Sequence, residues 1–179
     1  MADGEIDPIE KLEELKEFLK DYDVTVHTFG DEEGYCITVK NSSDDELFID
    51  WNGEFTLTYD AWHAHFSPCQ YDYEKMLEYL TGILQNNLCS FSVFSNGEWL
   101  GSAMLENPVI LDKVKVRQHI KSNYSKEFIS KIRQNGAEIR YVYWDEQFTK
   151  IVKFEPGEFK FLFYSEIFVK YQFCILQSA

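Results

Sequence analysis

The chain has 179 residues, with 31 acidic against 17 basic side chains and a net charge of −14. A content of 45% apolar and 17% aromatic residues excludes wholesale disorder, which needs low hydrophobicity together with high charge. The length suits a single globular domain over residues 1–179, and no apolar run approaches the roughly 20 residues needed to cross a bilayer.

The acidic start, Met1-Ala2-Asp3-Gly4-Glu5, lacks the basic-then-apolar pattern of a signal peptide. Cys36, Cys69, Cys89 and Cys174 lie far apart with no CxxC spacing, as expected of reduced, structural thiols in a cytoplasmic protein. Charge is divided unevenly along the chain. Residues 1–80 carry 21 acids and 5 bases, and residues 81–179 carry 10 acids and 12 bases. Seven of those bases, Lys113, Lys115, Arg117, Lys121, Lys126, Lys131 and Arg133, are interrupted by one acid, Glu127. Either these are solvated faces lying near one another, or the acidic half steers a basic protein partner. Nucleic acid is not an expected partner, because the chain is acidic and the basic run shows no helix-turn-helix pattern or interleaved aromatic platform.

In chain order, Asp7-Pro8 opens a helix expected to reach about Tyr22, with Ile9, Leu12, Leu15, Phe18 and Leu19 as its apolar stripe. Two strands follow, Val24 to Phe29 and Tyr35 to Lys40, joined by a turn bounded by Gly30 and Gly34. Asn52-Gly53 and Asn96-Gly97 each predict a hairpin, since Asn-Gly tolerates the positive φ of a type I′ turn. The strand after the first of them is read as continuous from Glu54 to Phe66. Tyr73, Met76, Leu77, Leu80 and Leu84 predict a helix from Asp72, as cap, to about Asn86. After Asn107-Pro108 the pattern is ambiguous: Val114 and Val116 alternate with lysines. Tyr124 to Gln134 reads as a helix stopped by Asn135-Gly136. The tail returns to strands over 138–144, 148–155, 158–168 and 169–176. The expected fold class is α+β, a mostly antiparallel sheet built from hairpins with about three helices packed on it.

One dense constellation of chemical side chains stands out: Tyr59, Asp60, Trp62, His63, His65 and Cys69. Two histidines two residues apart on a strand point to the same face, where both imidazoles reach one divalent transition metal, with Cys69 or Asp72 as a third ligand. On a continuous strand they share the face of Phe55, Leu57 and Tyr59; a bulge near Asp60 reverses that, since Trp62 and Phe66 also demand burial. Cys69 with either histidine is also the raw material of a nucleophile and its base, but no G-x-S-x-G or H-E-x-x-H motif accompanies it. The paired carboxylates Asp31-Glu32-Glu33, Asp44-Asp45-Glu46 and Asp145-Glu146 read as solvated loops that add negative surface. Trp51, Trp62, Trp99 and Trp144 are mostly core by composition. Any left exposed beside acidic loops would form a protein-binding patch.

The stretch Glu54-Phe-Thr-Leu-Thr-Tyr, then Trp62-His-Ala-His-Phe, a helix, and Ser95-Asn-Gly-Glu-Trp-Leu-Gly-Ser102 resembles small bacterial proteins, some of which are similar to immunity proteins of polymorphic-toxin systems. The resemblance covers about fifty residues of the 179 and assigns no catalytic group. It implies a single-domain protein that binds and blocks a cognate toxin, and the acidic surface fits a basic enzyme as that partner; no cofactor is expected. The leading expectation is therefore protein binding through an acidic, aromatic surface that includes Tyr59, Asp60, Trp62, His63, His65, Cys69 and Trp99. The alternatives are a metal-binding or metal-dependent enzyme domain centred on His63, His65 and Cys69, and a small-molecule cleft lined by the histidines.

Overall fold

A computed structural model describes residues 6–30, 34–106 and 113–159. Its described elements are nine strands in two antiparallel sheets and four α-helices, one more helix than expected; the fold is α+β. None of the helices is long and apolar enough to cross a membrane.

Helix α1 (Pro8–Phe18) begins where the Asp7 carboxylate accepts the Ile9 N–H at 2.9 Å, with proline in the first turn. It stops at Phe18, four residues short of the expected end, because the chain turns through 19–22 into the first strand. Its buried stripe is narrower than the sequence suggests. Leu12, Leu15 and Leu19 are in the core, while Ile9 and Phe18 remain 63% and 43% exposed. Lys11 takes a buried place instead, its stem packed inward and its ammonium 2.7 Å from Glu14 and 5.0 Å from the Tyr73 ring centre.

Strands β1 (Asp23–Phe29), β2 (Gly34–Lys40), β3 (Glu46–Trp51), β4 (Phe55–Tyr59) and β5 (Trp62–Phe66) form a meander in which each strand pairs only with its sequence neighbours. The β3–β4 connection at Asn52-Gly53 is longer by one residue than a two-residue turn, since Trp51 pairs with Phe55 and only Gly53 takes positive φ. The expected single strand 54–66 is two strands. A turn at Asp60-Ala61 folds it back, with Asp60 at φ 51° and Tyr59 opposite Trp62. Alternate residues line the inner face, among them Ile37, Ile49, Leu57, Tyr35, Trp51 and Phe55, all buried under α1 and helix α2 (Gln70–Leu84). Cys69, not Asp72, occupies the cap position of α2, without a side-chain capping bond; Asp72 reaches back from the first turn to accept the Ser67 N–H at 2.9 Å.

The second sheet has the order β7-β6-β8-β9, from β6 (Leu88–Ser95), β7 (Glu98–Glu106), β8 (Ala137–Val142) and β9 (Lys150–Phe154). Asn96 and Gly97, both at positive φ, make the two-residue β6–β7 turn. The ambiguous lysine-rich stretch is a helix, α3 (Lys113–Asn123), with Val116 and Ile120 buried and Val114 exposed. Helix α4 (Lys126–Asn135) follows, capped by the Ser125 hydroxyl and ended by Gly136 at φ 78°. There a Cβ would lie 2.5 Å from the Phe154 carbonyl oxygen, so glycine is required on two counts. Helices α3 and α4 cover one face of the sheet, around Phe91, Val93, Ile139 and Tyr141. The strands expected over 158–168 and 169–176 lie almost wholly outside the described residues, apart from Glu158 and the buried Phe159.

Strand β6 is buried on both faces. Its other side turns Ser90 and Ser92, both fully buried, towards the first sheet. There the Asp60 carboxylate accepts their hydroxyls at 2.9 and 3.5 Å, and Ser102 donates to the Ala61 carbonyl at 2.8 Å. From the loop after β8, Trp144 enters the first core, 6.0 Å from the Tyr59 ring. Nearby, Asn41 donates to the Trp144 carbonyl at 2.7 Å, Ser43 to Glu146 at 2.7 Å, and the Asp145 N–H to Asn86 at 2.7 Å. Two cores are thus joined along one seam.

His119 on α3 sits against Phe91, with ring centres 5.2 Å apart, and burial holds its pKa below the ordinary imidazole value. The folded state therefore binds this proton less readily than the unfolded chain, so the full contribution is present above pH ~6.5 and falls as pH drops through 6.5 towards the lowered value. The His119→Gln variant is expected to show a shallower loss of stability than the parent from pH ~7 to ~5, measured by urea unfolding at several pH values.

Candidate functional site

The histidines are placed by the Asp60-Ala61 turn. Because the chain reverses there, β5 presents Trp62, Ala64 and Phe66 inward and His63 and His65 outward, opposite Thr58 and Thr56. Parity is therefore that of the reversed reading, achieved by a hairpin and not by a bulge. Tyr59, expected at the site, is buried in the first core, where burial pushes its phenol above the ordinary tyrosine range. Trp62 is half-buried on the same inner side, 5.5 Å from the Tyr79 ring. Asp60 belongs to the seam. Cys69 lies at the start of α2, a helix packed under the inner face.

The outer face of the first sheet carries two rows across five strands. One is His27, Cys36, Asp50, Thr56 and His65; the other is Thr25, Thr38, Phe48, Thr58 and His63. His65 Nδ1 lies 2.9 Å from a Glu54 oxygen and 3.2 Å from the Thr56 hydroxyl, and the two histidine rings meet edge-on at 5.4 Å. Cys36 is no nucleophile, since burial and the neighbouring Asp50 push its thiol up to about 11. Among the described residues, no three or more His, Cys, Asp or Glu side chains gather as a metal-ligand set, so the sheet separates the elements of the expected His63, His65 and Cys69 centre. His63 and His65 are both exposed on this outer face. A shallow hollow of about 450 Å³ lies between α2 and the β6–β7 pair, lined by Lys75, Glu78, Tyr79, Leu88, Met104 and Glu106.

The tryptophans divide sharply. Trp51 and Trp144 are core, and Trp99, on β7, is 54% exposed. The acidic loops divide too: the Asn41 side chain accepts the Ser43 and Asp45 N–H groups, fastening the 41–45 loop into the seam beside Glu146. Away from the seam, acids and aromatic rings meet where α1 runs into β1. Glu13, Glu17, Asp21 and Asp23 are exposed there, with Phe18 and Tyr22 showing 43% and 36% of their surface; Phe29, 45% exposed, lies at the other end of β1. Sequence reasoning assigned Phe18 to the core stripe and singled out neither Tyr22 nor Phe29. A usable signal was the strand Val24 to Phe29 itself, whose Val-Thr alternation is bounded by aspartates at its start.

Several ion pairs among the described residues join partners within one half of the chain. Lys11–Glu14, Lys16–Glu13, Lys20–Glu17, Lys40–Glu46 and His65–Glu54 lie within the first half. Lys113–Glu158, Arg117–Glu158, Arg140–Glu138 and Lys153–Glu138 lie within the second. Compared with family models, curated proteins and solved structures, the chain matches none.

Proposed function

We propose that this protein is a non-enzymatic, cytoplasmic bacterial binding module that docks a basic protein through the acidic, aromatic surface at the end of α1 and along β1. The observation that supports this reading is the separation of charge. The acidic half carries a net −16, and ion pairs such as Lys16–Glu13 and Lys20–Glu17 stay within it, while Asp21 and Asp23 are exposed. Such a field raises encounter rates with a basic partner, and exposed aromatic rings supply the apolar contact that holds it. The immunity-like resemblance gives this binding a purpose, the blocking of a toxin, with the acidic module as inhibitor.

The test is capture at low salt from the source cells, followed by titration of the purified captured protein against the parent and two variants. Glu13→Lys/Glu17→Lys/Asp21→Lys is expected to slow association by about tenfold or more and to flatten its salt dependence. His63→Ala/His65→Ala is expected to bind like the parent. A partner whose association ignores salt and the triple charge reversal would overturn the proposal, as would loss of binding in the histidine variant alone.

A further inference from the structure

Of the four sheet edges, three are blunted. Strand β5 lies against the second sheet through Ser102 and the Ala61 carbonyl, β7 is irregular opposite Val93 and Phe94, and β9 carries Lys150 and Lys153. Strand β1 carries no proline, no bulge and no lysine, three of the devices that protect an edge. It pairs with β2 over seven consecutive residues, and among the described residues nothing pairs with its other side. Alternate residues of such a strand direct N–H and C=O groups outward. Val24 and Val26 face inward yet are only half-buried, and no further strand among the described residues covers them. At the far end, the Phe29 ring closes over Gly34, where a Cβ would lie 2.2 Å from it, and the pairing with β2 stays in register to its last pair.

We infer that the β1 edge accepts an extended segment of the partner as a sixth strand, and that this segment alternates apolar with basic residues. Its apolar side chains continue the inner row of Val24 and Val26, and its basic ones lie near Asp21 and Asp23. The inference rests on the basic-partner reading and specifies how that partner is held. A second copy of the chain is the poorer occupant, because pairing β1 with itself would bring two halves of net −16 together. Backbone bonds would give the affinity and the alternating side chains the selection, as in other cases of strand addition.

The experiment uses three capped heptapeptides: Lys-Val-Lys-Val-Lys-Val-Lys, the same peptide with every lysine replaced by glutamate, and the lysine peptide with alternate backbone nitrogens methylated. Methylation keeps the charge but removes the donors of a paired strand. The lysine peptide is expected to bind and to slow amide exchange at alternate residues of β1, while the methylated form binds at least about tenfold more weakly and the glutamate form does not bind. Equal binding of the methylated peptide, protection away from β1, or no binding of the lysine peptide would each overturn strand addition. These outcomes leave the charge-reversal titration of the captured protein standing, so the two ideas fail separately. A dimer with β1 amides protected in the absence of peptide would also overturn it, in favour of self-pairing.

Discussion

Replacing Trp144 by alanine is expected to lower stability by about 3–5 kcal/mol, the range for large aromatic residues removed from a core. The unusual part of the result concerns cooperativity. Trp144 hangs from the loop after β8, yet its ring packs in the first core beside Tyr59, and its carbonyl accepts from Asn41. Removing it empties space in one core while detaching the loop that ties it to the other. Urea unfolding followed at two probes, one on each sheet, is expected to be coincident in the parent and to split in Trp144→Ala, with the m-value falling. Coincident transitions in the variant would show that the remaining seam, Asp60 with Ser90 and Ser92 foremost, suffices to couple the halves.

Phe91→Ala is the natural contrast. Phe91 is fully buried at the centre of the second core, 5.1 Å from the Tyr141 ring, 5.2 Å from His119 and 6.2 Å from Tyr124. Loss of the ring is also expected to cost about 3–5 kcal/mol, since neighbours on a sheet and two helices relax only partly into the gap. Here the seam is left intact. The midpoint should fall with coincident probes and an unchanged m-value, because stability is lost without altering what unfolds together. A split in this variant would place the weak point in the second sheet itself.

Local chemistry made much of this fold legible. Asp7-Pro8, Asn96-Gly97 and Asn135-Gly136 each dictate their own conformation, and each stands where expected. The β4–β5 turn was not legible because nothing at Asp60-Ala61 demands it. Asp60 is held at φ 51° by a fold in which Ser90 and Ser92, some thirty residues away, bond its carboxylate. That single turn decided the facing of both histidines, which stand together on the outer face while Cys69 begins the helix beneath the inner one. Helix α3 was obscured for a different reason: Val114 and Val116 mimic strand alternation, and only the burial of Val116 with Ile120 reveals the helical spacing. The acidic loop at 44–46 was expected to be plain solvated surface, but its neighbours Asn41 and Ser43 bind it to the second half across a separation of 103 residues.

The meander has a bearing on how the chain comes to be folded. Each strand from β1 to β5 finds its partner within the next few residues, so the loops closed are short and their entropy small. Strand β6 must instead wait for β8, with Ser90 opposite Val142 and two helices threaded between. During synthesis the first sheet can therefore close while the second is still incomplete, and β6, paired with β7, spends that interval with its apolar face of Cys89, Phe91 and Val93 uncovered. The seam bonds of Asp60 to Ser90 and Ser92 then join this waiting strand to the first sheet.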